Sequence, residues 1–274
     1  MADADLHVHL PATSFVSLAE FEEWLRTMQP RLDARYAFER DLASADPEFS
    51  RDGTCAPCLR RMRFTCRTEG GEATEDGRRI PNWREQMTCD CEDHLNNRSR
   101  ALLHYLDAEA GLPAWSRVLL FGRPAATDRR IEARAGETCR IRCLALGWTK
   151  EGTRAYRIQA ASGAFHLVVS SDYLHQVPSL RTALAELNRV LAPGGQFVFT
   201  VPFHYRAPRS VATWNNPSEA VRPPREISGE AYALGWDLLE WLREAGFADA
   251  RAHLYWSDEL GYCGFGNFIF SATN

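Results

Sequence analysis

The chain has 274 residues, of which 45% are hydrophobic and 25% charged, and its formal net charge is −4. That is enough chain to bury a sizeable core without covalent staples, and no global basic field argues for nucleic acid. No apolar run approaches the roughly 20 residues of a membrane helix, and the opening MADADLHVHLPATSF has no basic stretch followed by an apolar one, so a cytoplasmic protein with no membrane partner is expected. Residues 14–47 read as helical: Phe15, Leu18, Phe21, Trp24 and Leu25 recur at spacings of three and four. Ser17 suits the N-cap, and Pro30 predicts a break between two helices of a hairpin. Residues 50–97 are rich in Cys, Gly, Arg and Asp with few aliphatic residues, 69–79 reads as turn-like and solvated, and the segment needs an organiser other than a core. Residues 98–112 return to helical period. From residue 117 apolar runs at 117–121, 139–146, 165–171 and 196–203 alternate with amphipathic segments at 180–191 and 236–247, and two strands follow near 248–256 and 266–273. Strands alternating with helices predict a mostly parallel sheet covered on both faces.

One stretch is more specific. In FHLVVSSDYLHQVPSLRTALAELNRVLAPGGQFVFTVPF, a buried strand ends in Ser170, Ser171 and Asp172, a helix follows, and Pro193-Gly194-Gly195 reverses the chain into the next strand. It resembles the core of class I S-adenosylmethionine-dependent methyltransferases of the Methyltransferase-11 type. The elements Asn82-Trp83-Arg84-Glu85 and Asn96-Asn97-Arg98 are similar to those of a subgroup with a cysteine-bearing N-terminal segment. The resemblance implies an α/β, Rossmann-like sheet with S-adenosylmethionine at its carboxyl edge. On that reading Phe121, Gly122, Arg123, Trp148, Ser170 and Ser171 bind the cofactor. The chain departs from the family in the turn after its first strand. Members carry Asp/Glu-x-Gly-x-Gly there, and this chain carries Gly122-Arg123-Pro124-Ala125-Ala126. Two readings follow. Trp148 stacks on adenine while Asp128 or Asp172 replaces the lost carboxylate, or the fold is a scaffold whose site has turned to another use.

Five of eight cysteines fall between residues 55 and 91. Cys55 and Cys58 form a CxxC knuckle, and Cys89 and Cys91 a CxC pair. Four thiolates from two such pairs suit a tetrahedral structural zinc, which would order a segment short of core. Cys66 or His94 stands as a substitute ligand, and reduced, buried cysteines are the bland alternative. Cys139, Cys143 and Cys263 read as core or turn residues.

Candidate catalytic residues lie at the strand ends: Asp172, Tyr173, His175, His204 and Tyr205, of which His and Tyr suit proton removal from an acceptor. His175 reads equally well as a helix cap. The segment 203–228 is a long loop of the kind that covers a substrate, with Trp214 and Asn215 as lining residues or anchors. Arg206, Arg209, Arg222 and Arg225 read as a solvated face sooner than as an anion site. The expected organisation is a helical, cysteine-rich, zinc-binding part at 1–112 and a methyltransferase-like α/β domain at 113–274. The expected function is methyl or alkyl transfer to a small molecule of specialised metabolism. The rival is a pseudo-methyltransferase that binds a protein partner; a homodimer is compatible with either.

Overall fold

In the computed structural model the described residues are 9–111, 117–141, 147–148, 154–155, 157–177, 179–213 and 231–274. The N-terminal elements are β1 (Ala12–Phe15), α1 (Leu18–Asp41), β2 (Glu48–Cys55), β3 (Arg60–Arg67), β4 (Glu72–Ala73), β5 (Arg79–Ile80), α2 (Trp83–Gln86), β6 (Met87–Cys89) and α3 (Asn97–Ala108). There follow β7 (Val118–Phe121), α4 (Asp128–Glu132), β8 (Thr138–Ile141), β9 (Gly147–Trp148), β10 (Arg154–Ala155), β11 (Phe165–Ser171), α5 (Leu180–Val190) and β12 (Leu191–Thr200). The chain closes with β13 (Val211–Ala212), β14 (Tyr232–Ala233), α6 (Asp237–Glu244), β15 (Asp249–Tyr255) and β16 (Phe268–Thr273).

A seven-stranded sheet in the order β1-β15-β16-β12-β11-β7-β8 forms the centre. The run β12-β11-β7-β8 is parallel, while β16, β15 and β1 pair antiparallel. Five of the seven strands therefore point the same way, with β16 and β1 opposed, so the sheet is mostly parallel with its antiparallel pairings on one side. The chain leaves β7 toward β8 on one side and later returns as β11 on the other. The carboxyl ends of β7 and β11 therefore splay apart at a topological switch point, where open α/β sheets bind ligands.

Side-chain alternation along the strands builds two cores. Leu119, Phe121, Val168, Phe197 and Phe199 pack with α5, α6 and Phe21 of α1 on one face. Val118, Leu120, Leu167, Val169 and Val198 pack on the other face with α3 and the cysteine-bearing segment. Residues N-terminal to position 112 thus contribute to both cores and, through β1, supply an edge strand.

Three expectations change. The helix does not break at Pro30: α1 runs from Leu18 to Asp41 with Pro30 inside it. Pro30 is on the exposed side, where the carbonyl it leaves without an N–H donor meets water, and packing of the Phe21–Trp24–Leu25 stripe carries the helix across. Ser17 caps it as expected, accepting from Glu20 N at 3.3 Å. Second, the polar segment opens on regular strands, which its composition does not announce. The strands β2 and β3 pair without interruption from Glu48↔Arg67 to Cys55↔Arg60, and β6 adds a third strand. Their inner face, Phe64, Cys66, Met87 and Cys89, is buried. Third, Ser14 and Phe15, expected at the start of the helix, belong to the edge strand β1.

Cys143, Trp214, Asn215, Arg222 and Arg225, and the side chains of Cys139 and Trp148, lie outside the described residues.

Candidate active site at the carboxyl edge of the sheet

The strand β11 ends in a left-handed residue, Asp172 (φ +48°), a conformation that Asp tolerates better than most side chains. Its N–H donates to Thr200 O at 3.0 Å, which pins the turn to the end of β12. Its carboxylate accepts two hydrogen bonds from Arg84, at 2.7 and 2.5 Å, and an ion-pair contact from Arg98 at 3.2 Å. Arg98 also donates to Ser171 Oγ at 2.7 Å and to Glu85 Oε1 at 3.0 Å. Glu85 accepts further from Asn96 Nδ2 at 2.7 Å and pairs with Arg84. Two guanidinium and two carboxylate groups thus form a largely buried, charge-balanced lattice. Burial pushes the Asp172 carboxyl up, but the hydrogen bonds and charge of Arg84, aided by Arg98, hold it below the usual carboxylate range. A carboxylate so engaged fixes the strand end and is a poor proton acceptor.

The two motifs noted in the sequence supply this lattice. Arg84 and Glu85 sit on α2. Asn96 caps α3, accepting from Ser99 N at 2.9 Å, and Arg98 leaves the first turn toward the sheet. Asn97 donates to Cys263 O at 2.7 Å. Arg100, fully buried, donates to the Leu260 and Gly261 carbonyls at 2.7 Å each and lies over Phe64. The motifs announced themselves by residue type and spacing, and nothing in the sequence tied them to Asp172.

At the switch point Phe121, Gly122, Ser171 and Tyr173 come together. Gly122 has φ +132°, and a Cβ there would lie 2.8 Å from Cβ and Cγ of Tyr173. The tyrosine ring also packs edge-on to Phe121, with centroids 5.5 Å apart. The space that glycine opens in this turn is therefore filled by Tyr173. The cavity bounded by Gly122–Asp128, Val169 and Ser171 measures ≈ 10 Å³, room for about one water molecule. Asp128, buried at the start of α4, accepts from Ala125 N at 3.2 Å and braces the same turn. The amino-acid end of S-adenosylmethionine would fit this turn only with the Tyr173 ring moved off Gly122. Arg123 is exposed and does not itself fill the turn. Ser170 is buried on the opposite side of its strand, and among the described residues its Oγ has no hydrogen-bond partner.

A larger opening begins at the same edge. A groove of ≈ 1210 Å³ runs from Asp172, Phe203 and Tyr205 along α1 to Glu39 and Trp256. Tyr205 lines it, with its ring 5.0 Å from Phe265 and 6.1 Å from Phe21. His204 is exposed, and neither it nor His175 is among the groove's wall residues. His175 is buried in the short turn Leu174–Gln176, and its carbonyl accepts from Ala231 N at 2.8 Å. Of the five catalytic candidates, Asp172 and Tyr205 therefore meet at the groove and Tyr173 closes the neighbouring turn.

On the far face, the thiols of Cys55, Cys58 and Cys89 lie within 4.8 Å of one another, as a shared tetrahedral ion requires. Cys91 is buried but does not lie within that distance of all three. Cys66 is buried with its thiol directed to Phe64 O at 4.0 Å, and His94 is exposed. Cys58 accepts from Cys55 and Cys89 and faces Arg130, which together pull its thiol far below the ordinary range; Cys55, as a donor to it, is pushed up to about 11. Arg130 of α4 reaches Cys58 Sγ at 3.7 Å, Pro57 O at 2.9 Å and Asp93 at 2.6 Å. The donor set fits a soft divalent ion, with three thiolates given by the described residues.

Residues 146–199 match the family model described as a methyltransferase domain. No curated protein matches the chain. Among solved structures, an S-adenosylmethionine-dependent methyltransferase from Archaeoglobus fulgidus is 12% identical with a TM-score of 0.40, over 65% of this chain and 94% of that one. An S-adenosylmethionine-dependent methyltransferase from Listeria monocytogenes gives 14% and 0.40, over 65% and 98%. A complex of the Haloferax volcanii Trm112 methyltransferase activator with a methyltransferase gives 14% and 0.39, over 65% and 92%. Likenesses of this strength say nothing about acceptor or partner. The matched segment includes the strand β11, the helix α5 and nearly all of the strand β12, the parallel centre on which the switch point stands. The family match is confined to residues 146–199, and what it covers is a methyltransferase domain's central strand–helix–strand unit.

Proposed function

We propose that the protein transfers a methyl or alkyl group from S-adenosylmethionine to a small molecule held in the groove beside Asp172, Phe203 and Tyr205. The observation that carries this reading is where the groove opens. It meets the sheet at the carboxyl ends of β11 and β12, next to the switch point, and its walls mix aromatic and polar side chains as small-molecule sites do. Transfer itself needs proximity and alignment more than a proton acceptor, which agrees with an Asp172 engaged by two arginines. Tyr205 is the side chain of the candidate set best placed to contact an acceptor. Work on a compound of specialised metabolism in the cytoplasm belongs to the same proposal.

A second reading has its own support. With Tyr173 on Gly122 the cofactor's amino-acid end is excluded, as in a pseudo-methyltransferase that keeps the fold to bind a partner protein or a second copy of itself. One experiment separates the two: calorimetric titration of the metal-replete protein with S-adenosylmethionine and with S-adenosylhomocysteine. Saturable binding of both is the result expected of the transferase. A folded sample that takes up neither at about millimolar ligand would turn the assignment to the scaffold.

The cysteine group is proposed to hold a structural zinc through Cys55, Cys58 and Cys89, with Cys91 as the fourth ligand. The ion's part is to fix the strand ends of β2 and β6.

A further inference from the structure

The helix α1 places a carboxylate where a core-facing helix ordinarily carries an apolar side chain. Glu39 is only 6% exposed and lies on the groove wall. Its Oε1 accepts from Trp256 Nε1 at 2.7 Å and from Gly264 N at 2.8 Å. Among the described residues its Oε2 accepts no hydrogen bond, and no ion pair to Glu39 forms. The two cations nearby are engaged elsewhere: Arg35 stacks over Trp256 with its guanidinium carbon 4.7 Å from the ring centroid, and Arg51 pairs with Asp258. Burial pushes the Glu39 carboxyl up, and only part of that is offset by its two donors and these distant charges.

One oxygen of this carboxylate is fixed by its two donors, and the other is left for a donor that enters the groove. The rest of the wall indicates which kind. Glu22, Asp33 and Glu72 add three carboxylates, while Arg84 is neutralised by Asp172, and Arg35 and Arg206 are the other arginines of the wall among the described residues. The rings of Tyr36, Trp256 and Phe265 offer flat apolar surface beside these acids. Negative charge and π-faces on one wall attract the same kind of group, a protonated amine.

We propose that the groove binds a ring-bearing primary or secondary amine, with the ammonium donating to Glu39 Oε2 and the ring against the aromatic wall. That this molecule is the methyl acceptor rests on the transferase reading; that the groove selects a cation does not.

The test uses no methyl donor, so its failure is separate from failure of the transferase reading. Three indole probes of similar size are titrated by calorimetry or ligand-observed NMR: tryptamine (cationic), tryptophol (neutral) and indole-3-propionate (anionic). The expected ranking has tryptamine binding about tenfold tighter than tryptophol and the anion weakest. The Glu39→Gln variant keeps an oxygen for Trp256 and Gly264 and should bring tryptamine down to the level of tryptophol. Equal affinities in the wild type, no saturable binding of tryptamine below about 10 mM, or a preference that survives in E39Q each overturn the proposal. If E39Q does not fold, the wild-type ranking decides alone.

Discussion

Replacing Asp172 with Asn is the sharpest probe of the lattice at the strand end. Asn tolerates the left-handed backbone at this position, so the substitution removes charge without adding strain. The wild-type carboxylate accepts two hydrogen bonds from Arg84 and touches Arg98, with side-chain exposures of 19%, 18% and 14% for the three residues. A hydrogen bond to a charged group contributes about 1.5–3 kcal/mol, and unpairing a buried charge costs about 3–5 kcal/mol. Glu85 stays behind as a counter-charge to both arginines, which brings the expected loss to about 2–3 kcal/mol. Urea unfolding followed by tryptophan fluorescence should show a lower midpoint at unchanged slope. Because the folded carboxyl lies below its unfolded value, its contribution is present above about pH 4 and is lost as pH falls through the folded pKa. The acid limb of wild-type stability should therefore be steeper than that of D172N. A D172N protein within about 0.5 kcal/mol of wild type would refute the claim that this lattice holds the strand end.

Other consequences are as direct. His253 is buried, receives or donates hydrogen bonds at Ser14, Tyr105 and Ser271, and burial lowers its pKa to about 4. A depressed histidine stabilises the fold above its unfolded value near 6.5, so stability should fall by on the order of 3 kcal/mol between about pH 6.5 and pH 4. His253→Gln should flatten that window, and an unchanged pH profile would exclude His253 as its source. Freshly purified protein should carry about one zinc per chain. Cys55→Ser and Cys89→Ser should reduce that below about half an equivalent in elemental analysis, while Cys66→Ser leaves it unchanged; an equal loss in C66S would contradict the ligand set.

The order of strands from residue 117 onward was legible because fully buried parallel strands leave short apolar runs, and the helices α5 and α6 leave amphipathic ones. The antiparallel β2-β3 pair was not, since its outward face is arginine-rich and the alternation shows in just Met62, Phe64 and Cys66 of β3. Pro30 misled because its missing donor faces water, where a helix loses little. At the site, Asp172 and Tyr173 were placed correctly at a strand end, but their neighbours decide what they do. Arg84 and Arg98, distant in sequence, turn Asp172 from a candidate base into a brace, and Gly122 serves Tyr173 instead of an approaching ligand. Glu39 gave no signal, because one carboxylate on an amphipathic helix looks like a solvated one until Trp256 and Gly264 are seen to hold it.

The proposed transfer requires that the turn at Gly122 admit S-adenosylmethionine once the Tyr173 ring moves off it. The affinity of S-adenosylhomocysteine for wild type and for Tyr173→Ala tests it most directly. Removing the ring from Gly122 should tighten binding by about tenfold or more. Binding to neither protein, or an affinity that Y173A leaves unchanged or weakens, would contradict it.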